Sequence, residues 1–172
     1  MRIFVRKSGG TLARTCCAMQ NAGMNRIPTP ALILGLAGLL PFIYGALSVL
    51  WPPLGGLGQL WSVNHAGRAL LQIYGIVILC FMAGVIWGFA AKAQGPQATL
   101  FYGLSVIPAI FVFLTAFAAP RDSLIMLIAG FLALLMVDAS AARQGLAPGW
   151  WMRLRLLLTT VVVICLGIGV LA

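Results

Sequence analysis

The sequence predicts an all-α, polytopic membrane protein: a bundle of five transmembrane helices with its N-terminus inside and its C-terminus outside. Three observations predict it. First, 62% of the 172 residues are hydrophobic and only 8% are charged, against about 45–50% apolar and about 25% charged in ordinary soluble domains. Mean hydropathy is +1.07. A soluble fold of this size needs more polar surface than the chain supplies, which excludes a soluble globular domain, a disordered tail and a nucleic-acid-binding module. Second, five apolar stretches approach the roughly 20 residues that cross a hydrocarbon core as a helix. Third, the cations lie almost entirely on alternate connectors.

The spans are expected at about Ala31–Trp51, Ala69–Ala91, Leu100–Ala119, Ser123–Ala142 and Leu156–Ala172. Their apolar runs are unbroken, whereas barrel strands would alternate, so helices are expected. The connectors between them are about 17, 8, 3 and 13 residues long. None can hold a folded soluble domain, which confines any chemistry to the bilayer or its surface. Residues 28–172 therefore read as one five-span membrane domain, with residues 1–27 as a basic tail before it.

Helix breakers agree with this division. Trp51-Pro52-Pro53-Leu54-Gly55-Gly56 closes the first span, and Gln94-Gly95-Pro96 separates the second from the third. Ala119-Pro120-Arg121-Asp122-Ser123 is a tight turn in which Asp122 or Ser123 is placed to cap the fourth helix. Gly145 and Pro148-Gly149 end that helix before the fifth. No internal repeat is visible, and five spans argue against two equal inverted halves.

Orientation follows from charge. With the N-terminus inside, the inner segments carry Arg2, Arg6, Lys7, Arg14, Arg26, Lys92, Arg143, Arg153 and Arg155, and the outer segments only Arg68 and Arg121. That is a strong positive-inside bias. The formal charge of +9 then reflects topology, with anionic lipid headgroups on the inner side as its partners and no role for nucleic acid. Trp150-Trp151-Met152-Arg153 precedes the last span, where indoles favour the headgroup level and arginine snorkels to phosphates. Trp150, Trp151 and Arg153 are accordingly expected as interfacial anchors. Trp51 and Trp61 flank the first outer connector in the same way.

The tail of residues 1–27 has five basic residues, no acids, and Ser8, Thr11 and Thr15. Such a composition resembles a transit peptide. An untargeted tail fits equally, as does an upstream start, with Met24 opening a shorter natural N-terminus and residues 1–23 outside the mature protein.

Few residues could carry chemistry. Cys16-Cys17 lie in the tail and Cys80 and Cys165 in spans; no Cys-x-x-Cys is present, and the span cysteines read as packing residues. His65 is the single histidine, which excludes bis-His haem ligation and multi-histidine metal sites. No catalytic residue, cofactor or metal site is indicated.

Asp138 is the most informative residue. It lies near the inner end of the fourth helix, where the macrodipole opposes a carboxylate, and an unpaired Asp at depth is costly. A cationic partner is expected from Arg143, Arg153 or Arg155, with Arg155 at the start of the next span the choice. The pair is either a structural lock between helices four and five or part of a proton-relay path. Pro41 and Pro108 fall mid-span, each removing a backbone hydrogen bond and freeing the carbonyl of Ala37 or Leu104. They read as packing kinks, or as the walls of a midplane cavity, and Ser105 is placed to repair part of the ladder at Pro108. Gly84-x-x-x-Gly88 forms a small-residue face, expected to pack within the bundle or against a second copy. Gln72 and Tyr74 can bond across helices.

Several strings occur together in order: Leu34-Gly35-Leu36-Ala37-Gly38-Leu39-Leu40-Pro41-Phe42, Tyr74 to Leu79, Gly84-Val85-Ile86-Trp87-Gly88, Ser105-Val106-Ile107-Pro108, Asp138, and Pro148-Gly149-Trp150-Trp151 with Leu154-Arg155 and Leu158-Thr159. From about residue 28 onwards the chain resembles the domain-of-unknown-function family 3429, similar to the transmembrane protein 69 group. The resemblance implies a small multi-span protein of a bacterial inner membrane, or of the mitochondrial inner membrane if the chain is eukaryotic. It carries over no activity and no catalytic residues.

The function expected from these features is a non-enzymatic bundle that packs with, or assists assembly of, other membrane components, either a membrane-protein partner or a homo-oligomer. The alternative is a small transporter or channel-like protein using Pro41, Pro108 and Asp138. A lipid-active enzyme ranks third, for want of clustered acid–base or nucleophilic groups.

Overall fold

A computed structural model of the chain describes residues 26–51, 53 and 67–172. Those residues form α1 (Thr29–Ala37), α2 (Leu40–Leu50), α3 (Arg68–Ala90), α4 (Pro96–Thr115), α5 (Pro120–Arg143) and α6 (Trp151–Leu171). With α1 and α2 taken as one broken span, five helices are long and apolar enough to cross a membrane. Residues 1–25 of the tail, with Cys16, Cys17 and Met24, lie outside the described residues, as do Trp61 and His65.

Proline opens four of the six helices, at the first or second position of α1, α2, α4 and α5. There its missing N–H is one of those that a helix start leaves unpaired, and its φ is already helical. Pro120 therefore starts α5 ahead of Asp122 and Ser123. Neither of those caps it: Ala119 is the N-cap, and no side chain bonds the first turn. Asp122 in the first turn and Arg143 in the last both complement the α5 dipole. Gly145, at φ 73°, ends α5. Its N–H bonds the Ala142 carbonyl, and that of Leu146 bonds the Ala141 carbonyl, closing the helix with the paired bonds of a Schellman turn.

Pro41 does more than kink the first span. α1 stops at Ala37 and α2 starts at Leu40, because the ring denies the Ala37 carbonyl its usual donor. The joint tightens instead: Gly38 N bonds the Leu34 carbonyl and Leu39 N bonds the Leu36 carbonyl, three residues back. Tyr74 on α3 donates its hydroxyl to the Gly38 carbonyl at 3.0 Å and so satisfies the joint from outside. Pro108 stays inside a continuous α4. Ser105 does not mend the gap it leaves at Leu104, since its hydroxyl donates to the Tyr102 carbonyl at 2.7 Å.

α3 is the hub. It packs against α2, α4 and α5 and touches α6; α6 lies against α5 and α2, and α1 rests on α6. The α3–α5 contact interlocks reciprocally. Leu127 of α5 covers Gly75 of α3, and Leu79 of α3 covers Gly130 of α5, so that a Cβ on either glycine would fall 2.9 or 2.7 Å from the covering methyl. Small residues let backbones approach in this way where no hydrophobic force drives helices together. Gly84 and Gly88 are not part of any such contact. Both are exposed and nothing stands within 4 Å of where their Cβ would be, so the expected packing within the bundle is corrected: the face points outward.

The core runs through Phe42, Leu71, Leu79, Ile86, Phe101, Leu124, Leu127, Phe131, Leu134 and Leu166, with Cys165 buried among them. Outward faces are equally apolar, with Leu34, Phe81, Phe113, Met136 and Ile164 all exposed, as lipid contact requires.

Candidate functional site

The polar groups of the interior gather at two places. At the end of the bundle where α3 begins and α6 finishes, Arg68 Nε donates to the Gly169 carbonyl at 2.7 Å. Gln72 Nε2 donates to the Ala116 carbonyl at 3.1 Å. Both acceptors sit at helix C-termini, whose last carbonyls lack partners within the helix and carry the negative end of the dipole. These are ties between spans.

The opposite end holds the candidate site. Asp138, on the penultimate turn of α5, is 1% exposed. Arg155, one turn into α6, is 3% exposed and presents Nε to Asp138 Oδ2 at 2.5 Å. The structure brings these two together and leaves Arg143 and Arg153 exposed. α6 reaches its partner because it begins at Trp151, five residues before the expected span, which carries Arg155 into the bundle on helical backbone.

Trp151 belongs to the same constellation. Its Nε1 donates to Asp138 Oδ1 at 2.9 Å, so each carboxylate oxygen accepts from a different donor. Its ring packs edge-on against Phe89 of α3, centroids 5.3 Å apart, and against Trp150 at 5.9 Å. Sequence reading expected both indoles as anchors. Trp150 is half-buried and Arg153 exposed at this end, but Trp151 is a carboxylate ligand. The available signal was the indole itself, whose N–H seeks an acceptor when it leaves water.

Two further polar atoms beside the pair have no partner: Arg155 Nη2 and the Thr159 hydroxyl. Both residues line a cavity of about 110 Å³ between α1, α3 and α6, beside Gly38, Phe42 and Phe131. Thr159, 3% exposed, was not singled out as a polar candidate from the sequence. Nothing in the sequence says which of Thr159 and Thr160 turns inward, because the span is apolar on every side. Pro108 and Asp138 do not line this cavity, whereas the joint before Pro41 does.

Chemically the site is an electrically balanced pair with donors to spare. The guanidinium, the indole N–H and the hydroxyl can all donate to an oxygen acceptor. Among the described residues, no three of the His, Cys, Asp and Glu side chains come together.

Comparison with known proteins agrees with this architecture. Residues 27–171 match the family described as "Protein of unknown function (DUF3429)", and the chain belongs to that family. It is also 33% identical over 144 residues to Transmembrane protein 69 of Xenopus tropicalis, a match covering 81% of this chain and 53% of that protein. The chain thus spans about half the length of the curated relative it matches. No solved structure matches it.

Proposed function

We propose that this member of the DUF3429 family is a non-enzymatic membrane bundle that packs with, or assists assembly of, other membrane components. One observation carries the reading: Arg68, Gln72 and the Asp138–Arg155 pair tie spans together, while a small-residue face, Gly84 and Gly88, is left open on the outside. Both oxygens of Asp138 are held by neighbouring side chains, which suits a fastening rather than a carboxylate kept available for proton traffic. Such small-x-x-x-small faces admit a second helix at close range. In this reading the chain sits N-in and C-out in a bacterial inner membrane, or in a mitochondrial inner membrane if eukaryotic, as nine inner cations against two outer ones suggest.

A photo-crosslinking residue at Gly88, activated in native membranes, tests it. Discrete protein adducts from position 88, absent from the also exposed Ile164 on α6, are expected. Lipid adducts alone at both positions would contradict it.

A second reading, a small transporter or channel-like protein, draws on the break between α1 and α2 beside a cavity. It would route a substrate past Pro41. Pro108 and Asp138, which it also invokes, do not line that cavity, and for that reason the packing role is preferred.

A further inference from the structure

Among the described residues, Thr159 is one of two buried span hydroxyls, with Ser123 at the start of α5, that make no hydrogen bond. A helical Ser or Thr ordinarily bonds a carbonyl in its preceding turn, and Thr115, Ser140 and Thr160 do so, at Phe111, Met136 and Leu156. The Thr159 hydroxyl makes no such bond, and neither does Arg155 Nη2 find an acceptor, although both residues are 97% buried. A buried donor without an acceptor costs about 1–3 kcal/mol. Both belong to residues that line the same cavity, so a guest oxygen there would relieve both.

The cavity does not end blindly. An adjoining groove of about 400 Å³ shares Leu34, Gly35, Phe81, Met82, Arg155 and Leu158 with it and continues to Trp150 at the end of the bundle. Leu34 and Phe81, on its rim, are exposed on the outer surface of α1 and α3. The groove is therefore entered sideways, from the bilayer, and its walls are almost wholly apolar apart from Arg155, Thr159 and the indoles. A guest must bring hydrocarbon for the walls and an oxygen acceptor for the two donors.

Charge and size narrow the choice. Asp138 already balances Arg155, so an anionic head would leave an unmatched negative charge in an apolar setting, which is costly. An uncharged carbonyl meets the donors without that penalty. The inner cavity, about 110 Å³, is smaller than the roughly 150 Å³ site that takes benzene, which disfavours a ring and admits a linear chain. Arg155 lies four residues inside Trp151, about 6 Å along the helix. With Trp150 and Arg153 at the headgroup level, as their indole and guanidinium favour, Arg155 falls close to the level of glycerol esters.

We propose that this groove is a binding site for one acyl chain of a glycerol-ester lipid, whose ester carbonyl accepts from Arg155 Nη2 and Thr159 Oγ1. The chain's first methylenes fill the cavity beside Phe42 and Phe131, and the rest of the lipid follows the groove past Leu34 and Trp150. This site rests on observations separate from the packing role proposed above, although Phe81 and Val85 of its groove share a face of α3 with Gly84 and Gly88.

Ester- and ether-linked phosphatidylcholine share headgroup and chains and differ in the carbonyl, so they test the site directly. The full chain, purified in mild detergent, is titrated with each and with palmitate, and retained lipid is read by native mass spectrometry. One ester lipid per chain is expected, preferred over the ether lipid by about fivefold, the worth of one net hydrogen bond. Thr159→Val keeps the shape, removes the hydroxyl and is expected to reduce that preference to what Arg155 Nη2 alone supplies, while the thermal midpoint without lipid does not fall. Equal retention of ester and ether lipids by the wild-type chain would overturn the proposal. So would stronger retention of palmitate, or no lipid retained at all, which would leave water as the cavity's occupant.

Discussion

Arg155 Nε meets Asp138 Oδ2 at 2.5 Å across the α5–α6 contact, with both side chains shut away from the surface. One of only two acids in the chain is thereby matched with one of eleven cations, at a helix end whose dipole would otherwise oppose it. The cost of keeping a carboxylate there is offset by a guanidinium from one helix turn and an indole from the turn before it.

Removing one member of the pair leaves the other buried and unmatched. Asp138→Asn is expected to lower stability by about 3 kcal/mol, the lower end of the range for broken buried pairs. Arg155→Met should cost at least as much. Thermal midpoints of the detergent-solubilised variants check both.

Trp151→Phe keeps the ring against Phe89 but deletes the donor to Asp138 Oδ1. A loss of about 1–2 kcal/mol is expected, from a hydrogen bond to a charged group. An anchor that merely sat at the headgroup level would tolerate Phe without measurable change in the midpoint.

Tyr74→Phe leaves the Gly38 carbonyl, at the joint between α1 and α2, without its donor. Amide hydrogen exchange should accelerate locally around residues 38–43, with little change in α5. Uniform exchange across the bundle would mean that the bond fastens nothing in particular.

The glycines divide into two classes with opposite expectations. Gly75→Val and Gly130→Val push side chains into Leu127 and Leu79 and should cost about 1–3 kcal/mol each, as overpacking does. Gly84→Val and Gly88→Val meet nothing within the chain. They should leave the isolated protein's midpoint unchanged and weaken only the crosslinks formed in membranes.

Much of this was readable from residue order, for physical reasons that also set the limit. Five spans followed from apolar length alone. Their edges moved outward wherever helix continued through polar residues: α4 starts at Pro96 rather than Leu100, and α6 at Trp151 rather than Leu156. Asp138 and Arg155 could be paired because acids are so scarce. Trp151 could not be read as their third member, since an indole beside a basic residue at a span's edge already had an explanation. Inward and outward faces were the least legible. A span that is apolar all round carries no stripe to say which side is buried, so the spacing of Gly84 and Gly88 looked like packing while Gly75 and Gly130 carried it. For the same reason nothing distinguished Thr159 from Thr160.

Asp138 and Arg155 are proposed to act as a fastening between α5 and α6. A double-mutant cycle with Asp138→Leu, Arg155→Met and their combination tests it most directly, each variant read by thermal midpoint and by crosslinking from position 88. Exchange of both partners for apolar residues is often neutral where removal of one is not. The single variants are expected to be destabilised, while the double variant regains most of the lost stability and crosslinks as the wild-type chain does. A double variant that is well folded yet gives no crosslink would contradict it, because the charges would then be needed for something other than holding α5 to α6.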